Sequence, residues 1–262
     1  MGDLAISGPI TIDIAIPDCA LAVGAHPDDI EFGCGATVAK WAAAGCRLHH
    51  LVLTDGSKGS WDMDADPDEL VTDRMGESRA AADVIDGLPD GGVRRDDRVL
   101  FLGSVDGELA NGLDERREVT RVIRTLRPSV LLGHDPWRRY RLHPDHRTAG
   151  FLLLDALVAA RDPHFFTELG LAPHRPEAML LFEPDQPNHL EDTAGFDGTK
   201  IDALLRHRSQ WLSTMGIDLE SDPNSSSGGP GGFAAKVRCQ LGDHGSLAGL
   251  HSAEAFHLIT DL

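Results

Sequence analysis

The chain is short of basic residues, and that shortage limits the partners it can bind. It contains 24 lysines and arginines against 42 aspartates and glutamates, which gives a formal net charge of −18. Nucleic acids and anionic membranes bind proteins through clustered lysine and arginine side chains that neutralise phosphates. We therefore expect neither as a partner, whereas a neutral sugar is compatible with this composition.

Long hydrophobic runs and cysteine pairs are missing as well. No window approaches the length of a membrane-spanning helix, and the N-terminal stretch has no basic region of the kind that opens a signal peptide. These absences predict a cytoplasmic protein. The four cysteines show no C-x-x-C spacing, and we expect them to be buried, reduced and structural. They are Cys19, Cys34, Cys46 and Cys239.

Short apolar runs alternate with helical patterns along most of the chain, which is typical of an α/β domain. The run at residues 19–25 lacks polar alternation, as in a parallel strand covered on both faces. With 262 residues, 41% of them hydrophobic, the chain is expected to form a single domain. Strands are predicted at residues 19–25, 47–53, 99–103, 129–133 and 179–182, and helices at residues 31–44, 70–85, 114–126, 148–160 and 200–211.

Other stretches are predicted to lie around this core, which spans residues 19–211. Proline-bounded residues 9–17 indicate an edge strand, and acidic residues 60–69 indicate a loop or lid over the site. Turn-rich residues 86–97 are expected to form a linker, and Gly/Ser-rich residues 221–232 a flexible one. A C-terminal extension, residues 233–262, is expected to return to the body of the domain at residues 253–259.

Two short polar motifs follow two of the predicted strands, HPDD at residues 26–29 and HPDH at residues 143–146. The carboxyl ends of parallel strands are where α/β proteins build their sites. Two histidines and one aspartate on two such loops form a facial ligand set that leaves positions open, as in a catalytic metal centre. We name His26, Asp29 and His146 as the ligands, with Asp28 and His143 as acid/base candidates.

Both motifs resemble those of the PIG-L/LmbE family of metal-dependent de-N-acetylases, as do TDGSKG at residues 54–59 and H-x-S-Q at residues 207–210. The resemblance implies a Rossmann-like, mostly parallel sheet of at least five strands with helices on both faces. It also implies one zinc ion per subunit, the same three ligands, and removal of acetyl groups from N-acetylated amino sugars. Ile30 stands where many members carry Glu, and Glu31 follows, so no subfamily is assigned.

Amide hydrolysis requires an activated water, a stabilised oxyanion and a protonated leaving amine. We expect Asp28 to act as general base beside the metal. His143, as an imidazolium, could stabilise the oxyanion, and either residue could protonate the amine. Asp145 is interpreted as a residue that orients a histidine, or as a plain helix N-cap.

Three further residues are candidates for substrate binding. The resemblance assigns Arg74 to the substrate, whereas by itself it reads as a solvated ion pair with Glu77. Asp106 follows another predicted strand and could hold sugar hydroxyls. Tyr140, the chain's only tyrosine, lies in a loop at residues 134–142 that could form an aromatic and guanidinium platform for a sugar. His207, Ser209 and Gln210 are expected to have packing or supporting roles.

The leading hypothesis is a zinc hydrolase that deacetylates an N-acetylglucosamine-type sugar or a small glycoconjugate of it. The alternatives are a metal-dependent amidase on a thiol or sugar conjugate, a phosphoesterase using the same ion, and a non-catalytic sugar-binding module. Iron, cobalt or manganese could replace zinc on such ligands. An apolar edge strand would permit a homo-oligomer.

Overall fold

An eight-stranded sheet runs through the part of the chain that the computed structural model describes, residues 8–88, 98–218 and 229–262. Its strand order is β1-β7-β8-β6-β5-β2-β3-β4, and every neighbouring pair is parallel except the two that β8 forms with β6 and β7. The strands are β1 (Thr11–Ile12), β2 (Cys19–Gly24), β3 (Arg47–Thr54), β4 (Val99–Ser104), β5 (Val130–His134), β6 (Ala178–Phe182), β7 (His189–Asp192) and β8 (Ala253–Ile259). The predicted mostly parallel sheet is confirmed.

Helices cover both faces of the sheet. They are α1 (Asp29–Ala43), α2 (Pro67–Ile85), α3 (Leu113–Leu126), α4 (Pro144–Arg161), α5 (Asp197–Leu204) and α6 (Pro230–Ser246). Alternate residues of β2 point to opposite faces, so Leu21 and Val23 join the core under α3 and α4. Ala20 and Ala22 join the other core, under α1, α2 and α5. The two-sided burial explains the continuous apolar run of β2.

Strand β2 lies between β3 and β5, and the chain order reverses at this point of the sheet. Such a reversal opens a crevice at the carboxyl ends of the strands, because the connecting helices leave to opposite faces. The HPDD loop after β2 and the long loop after β5 therefore lie side by side. The TDGSKG loop after β3 borders the same crevice, as predicted.

Several boundaries differ from the sequence predictions. Helix α2 starts at Pro67, inside the acidic stretch, because the Asp66 side chain caps it by accepting from the backbone N–H groups of Asp68 and Glu69. The prediction of one helix over residues 200–211 is wrong. Helix α5 ends at Leu204, and the Trp211 indole donates to the carbonyl of Leu205 at 3.2 Å. A 3₁₀ turn (Arg208–Gln210) and a π turn (Trp211–Met215) follow.

The C-terminal part contributes more to the fold than the sequence indicated. Residues 253–259 form β8, which is inserted between β6 and β7. Strand β7 was not predicted, since its sequence HLED lacks the pattern of a strand. Helix α6 begins at Pro230, inside the predicted flexible stretch. The rest of that stretch and most of the linker at 86–97 lie outside the described residues.

Three other expectations can be compared with the structure. The predicted strand at residues 9–17 is reduced to β1, at the edge of the sheet. Cys19, Cys34 and Cys46 are buried and free, but Cys239 is exposed, so the expectation of burial fails there. Within the described ranges, no helix is long and apolar enough to cross a membrane.

Candidate active site

The HPDD motif forms a tight turn between β2 and α1. The backbone N–H of His26 donates to Oδ2 of Asp29 at 2.7 Å, which closes the turn. Asp28 occupies the N-cap position of α1 with φ of 125°, a left-handed region that non-glycine residues rarely adopt. The two neighbouring carboxylates have different partners, since Asp28 faces Arg74 and Asp29 faces His134 and His146. Backbone strain of this kind is typical of functional sites.

Donor atoms of the three predicted metal ligands lie close together, and His146 also belongs to two other sets of donor atoms that could hold a cation, one with His26 and His143 and one with Asp29 and His134. Nδ1 of His26 lies 3.2 Å from Nε2 of His146 and 3.3 Å from Oδ2 of Asp29, and Nε2 of His146 lies 3.2 Å from Oδ1 of Asp29. An ion held at zinc-ligand distances of about 2.0–2.1 Å needs donor atoms roughly 3.0–3.4 Å apart. The donor set and its spacing therefore fit a divalent cation.

A pair of carboxylates fixes the ring of His26. Its Nε2 lies 3.2 Å from Asp106 Oδ1 and 3.3 Å from Asp145 Oδ2. Asp145 in turn accepts from the backbone N–H groups of Gly107, at 2.7 Å, and Leu109, at 3.3 Å. Burial opposes a charged ring, but hydrogen bonds to Asp106, Asp145 and Asp29 raise the pKa of His26 to about 12. The metal-free ring therefore carries both protons. Binding of a cation at Nδ1 requires loss of the Nδ1 proton, while the Nε2 proton stays hydrogen-bonded to the carboxylates and fixes the ring.

His134, at the end of β5, supports Asp29 in the same way. Its Nε2 lies 3.1 Å from Asp29 Oδ2, and its Nδ1 receives a hydrogen bond from Arg141 at 2.8 Å. Burial lowers the pKa of His134, so the ring is neutral and Nε2 carries the proton. Arg141 is held by an ion pair with Glu183. Both residues belong to the loop that is predicted to form a sugar platform, but they lie beneath a candidate ligand instead.

Asp28 is buried beside this cluster and lines the cleft. Its Oδ1 lies 3.6 Å from Nη2 of Arg74. Burial raises the pKa of Asp28 to about 6, although the positive charge of Arg74 opposes the shift. A carboxyl group that titrates near neutral pH is suited to accepting and returning a proton.

Arg74 ties two loops of the site together. Its guanidinium donates to the carbonyls of Gly56, at 2.9 Å, and Pro27, at 2.8 Å. A Cβ atom on Gly56 would lie 2.6 Å from Nη1 of Arg74, and its φ is +67°, so the turn requires glycine there. The solvated pair with Glu77 is wrong, because Arg74 is buried and Glu77 accepts from the N–H and hydroxyl of Ser209.

His143 lies at the cleft and also caps α4. Its Nδ1 accepts from the N–H of Asp145 at 3.3 Å, so His143, rather than Asp145, is the N-cap. Burial, together with the nearby His26 and His146, lowers the pKa of His143. A neutral ring that accepts at Nδ1 can donate from Nε2. The predicted imidazolium is therefore not the form that this surrounding favours.

The cleft has a volume of about 480 Å³. Its lining includes the predicted ligands and acid/base candidates together with Arg74 and Asp106: His26, Asp28, Asp29, His143, His146, Arg74 and Asp106. Trp61 of the acidic loop stands at its mouth. Asp106 touches His26, so one of its oxygens has a supporting role that the sequence analysis did not expect. Tyr140 is 93% exposed and lines a neighbouring cavity instead of the cleft. The expected platform is therefore not assembled at the metal position.

The late motif supports the walls of the cleft. His207 is buried with Nε2 3.3 Å from Glu31 Oε2, and the Gln210 amide donates to the carbonyl of Gly59 at 3.1 Å. These contacts agree with the expected packing and supporting roles.

Comparison with known proteins accounts for this arrangement. The sequence profile of the PIG-L family, described as GlcNAc-PI de-N-acetylase, matches residues 21–157, more than half of the chain. The chain belongs to the PIG-L family. The match includes both motifs of the site.

Curated PIG-L relatives are named as deacetylases of acetamido sugars. The diacetylchitobiose deacetylase of Thermococcus kodakarensis is 34% identical over 194 residues, which cover 73% of this chain and 69% of that protein. A 1D-myo-inositol 2-acetamido-2-deoxy-alpha-D-glucopyranoside deacetylase of Saccharopolyspora erythraea is 32% identical over 227 residues, covering 72% of this chain and 82% of that protein.

A solved structure shows the same fold over nearly the whole chain. The N,N'-diacetylchitobiose deacetylase from Pyrococcus horikoshii, in complex with an inhibitor, superposes with a TM-score of 0.78 at 24% identity. The match covers 93% of this chain and 84% of that one. The C-terminal β8 and α6, which the sequence analysis left as an extension, therefore belong to the fold.

Proposed function

We propose that this PIG-L protein is a zinc-dependent deacetylase that removes the N-acetyl group from an N-acetylglucosamine-type amino sugar or a small glycoconjugate of it. The observation that carries the proposal is the triangle of donor atoms from His26, Asp29 and His146, with Asp28 buried beside it but outside it. The names of the two curated relatives support the substrate class.

When bound, a divalent ion would lower the pKa of a water molecule and polarise the amide carbonyl. Asp28 then takes the proton of the attacking water, and the same carboxyl can return it to the leaving amine. His143 donates from Nε2 to the carbonyl oxygen as negative charge develops there, a contribution typically worth about 3–4 kcal/mol. Arg74 holds the loop of Asp28 in place and limits how far its pKa rises.

Zinc fits this donor set, and iron, cobalt or manganese would also be accepted by histidine and carboxylate ligands. Neighbouring side chains hold two of the three candidate ligands: Asp106 and Asp145 contact His26, and His134 contacts Asp29. Partners of this kind fix the orientation of metal ligands.

Two of the three alternatives make different demands on the carboxylates of the site. A sugar-binding module needs the ligands but no extra carboxylate whose pKa is raised towards neutral pH. A phosphoesterase that uses two ions would need further carboxylates around a second position. An amidase on a thiol conjugate would use the same machinery and differ only in its substrate.

The experiment is release of primary amine from GlcNAc, diacetylchitobiose, GlcNAc-inositol and GlcNAc-malate, with metal content measured on the same sample. Amine release from one of them with one bound metal per chain supports the proposal. Bound metal without release from any substrate would favour the amidase or the binding module. Absence of metal would overturn the ligand assignment.

Two expectations about the cell accompany this proposal. The first, a cytoplasmic location, stays a prediction. Association into a homo-oligomer would use the sheet edge at β1, where Ile12 is exposed. Sedimentation of the purified protein tests the second expectation, and a purely monomeric species would refute it.

A further inference from the structure

A second cavity, of about 640 Å³, lies next to the metal cleft. The two share Phe32 and Glu183 in their walls, so they meet at these side chains. The other walls come from the loop after β5, the end of β6, helix α6 and the start of β8. Both volumes fall within the range of about 300–1,000 Å³ that is usual for small-molecule sites.

The wall of this cavity carries three cationic side chains and four carboxylates, the fourth being Asp243, so it offers no excess of positive charge. Its three lysine and arginine residues each pair with a carboxylate of the same wall: Arg138 with Glu183 at 3.4 Å, Arg139 with Asp185 at 3.0 Å, and Lys200 with Glu254 at 2.5 Å. Lys200 and Glu254 are buried, so their pair is costly to break. An anionic ligand would have to disrupt one of these pairs and would also face a chain with a net charge of −18.

The same wall is well supplied with groups that bind a neutral polar molecule. Arg138 and Arg139 each carry five N–H donors, of which their ion pairs use Nη1 and Nε, and Gln240 adds an amide. Tyr140 stands exposed at the rim, and an aromatic ring with a polar tip packs readily on the face of a sugar. Leu241, Leu247 and Ala255 supply apolar patches between these groups.

We propose that the second cavity holds the aglycone of the substrate, and that this aglycone is an uncharged, hydroxyl-rich group such as a second sugar ring or a polyol. The proposal rests on the proposed deacetylase function of the cleft. It gives Tyr140 a substrate contact away from the metal, and it ranks a neutral glycoside above an anionic conjugate such as GlcNAc-malate.

The first test narrows the cavity without touching the cleft. Gln240 lines the cavity from α6, whereas Lys236, one turn earlier and also exposed, does not. Gln240→Trp is expected to lower kcat/KM for diacetylchitobiose about tenfold more than for GlcNAc, since only the longer substrate reaches the cavity. Lys236→Trp is the matched control and should leave the ratio of the two substrates as in the wild type. Equal effects of Gln240→Trp on both substrates would overturn the proposal.

The second test compares aglycones in the wild type. Diacetylchitobiose and GlcNAc-inositol should both exceed GlcNAc in kcat/KM, and GlcNAc-malate should not. A malate conjugate that is turned over faster than both neutral glycosides would refute the assignment of a neutral aglycone.

A binding titration separates failure of this inference from failure of the proposed function, because it needs no turnover. In an Asp28→Asn background, calorimetry should show tighter binding of diacetylchitobiose than of GlcNAc, and Gln240→Trp should remove most of that difference. If the wild type releases no amine but this difference is found, the cavity assignment stands and the deacetylase proposal falls. If binding does not distinguish the two sugars, the cavity assignment falls.

Discussion

The two HPD motifs of the site share three letters and fold in different ways. In HPDD the motif closes a turn, so its first histidine and last aspartate face the cluster and Asp28 is left outside with a positive φ. In HPDH the motif opens helix α4, so its first histidine caps the helix and its last histidine joins the cluster. The same residue types thus become ligand, base, cap or support according to the backbone that carries them.

The aspartates of the two motifs show the difference most clearly. Burial raises the pKa of Asp28 to about 6, although the positive charges of Arg74, His207 and His26 oppose the shift. Asp145 points from the first turn of α4 to His26 and to two backbone N–H groups. Burial alone would raise the pKa of Asp145, but the His26 and Gly107 hydrogen bonds hold it below its usual value. One carboxyl is thereby prepared to move a proton, and the other is held as a fixed anion.

The largest effect is expected at the ligand that HPDH contributes. His146→Ala removes one corner of the donor triangle, and metal affinity should fall by far more than the roughly 10–100-fold that supporting residues contribute. Competition with a chelator measures the loss. His164→Ala, in an exposed loop, is the control and should bind metal as the wild type does. Retention of full affinity in His146→Ala would break the comparison, since HPDH would then supply no ligand.

The second-largest effect is expected at Asp28, the aspartate of HPDD that is not a candidate metal ligand. Asp28→Asn should lower kcat by roughly 10²–10⁴-fold, the usual contribution of a general base, while the metal content stays unchanged. Asp114→Asn, at an exposed site on α3, is the matched control. Loss of metal together with activity would mean that Asp28 is a ligand after all.

The raised pKa of Asp28, about 6, also predicts a stability change in the metal-free protein. A carboxyl whose folded pKa lies above its unfolded value of 3.8 destabilises the folded state when it is ionised. This penalty is absent below the unfolded pKa, grows between the two pKa values and is complete above the folded pKa. Asp28→Asn should therefore be more stable than the wild type at pH 8 by about 3 kcal/mol, since the pKa rises from 3.8 to about 6 and each unit is worth about 1.4 kcal/mol. The gap should close as pH falls from 6 towards 4, as measured by denaturant unfolding. A gap of the same size at all pH values would contradict the shift.

A smaller effect is expected at His134, which supports Asp29 from below. His134→Gln keeps an amide donor but loses the fixed ring, and metal affinity should fall by about 10–100-fold. The readout is metal affinity instead of activity, with His164→Gln as control. An unchanged affinity would show that Asp29 needs no support from β5.

The smallest effect separates the two roles of His143. His143→Ala removes the N-cap of α4 and should cost about 1 kcal/mol, whereas His143→Asn keeps a side-chain acceptor for the cap. Both variants should lose activity, because neither provides the Nε2 donor. Thermal unfolding and kcat measured on the two variants test this. Equal stability of the two would show that the cap contributes nothing.

Much of the site could be predicted because its ligands lie in two short motifs. A histidine and an aspartate three residues apart in a turn converge by local geometry, and an apolar run before each motif places it at a strand end. The proximity of the HPDD and TDGSKG loops followed from a right-handed crossover between neighbouring parallel strands, and the pairing of β2 with β3 confirms it.

The rest depended on contacts between distant residues. His134 lies under Asp29 because β5 pairs with β2, a contact 105 positions away in the chain that no local pattern reveals. Helix α1 is kinked at Cys34, and the Glu254 side chain accepts from the backbone N–H groups of Ala36 and Thr37 just after the kink. Glu254 lies in β8, 217–218 positions further along the chain. Strand β7 carries a buried His189 whose ring is held by Thr11 and Glu191, so a polar sequence becomes a strand only in its tertiary context.

The most direct test of the account measures metal content and amine release side by side in the wild type and Asp28→Asn, with diacetylchitobiose as substrate. The account predicts about one metal per chain in both proteins and amine release from the wild type alone. A wild type that binds no metal, or an Asp28→Asn variant that releases amine at the wild-type rate, would contradict it.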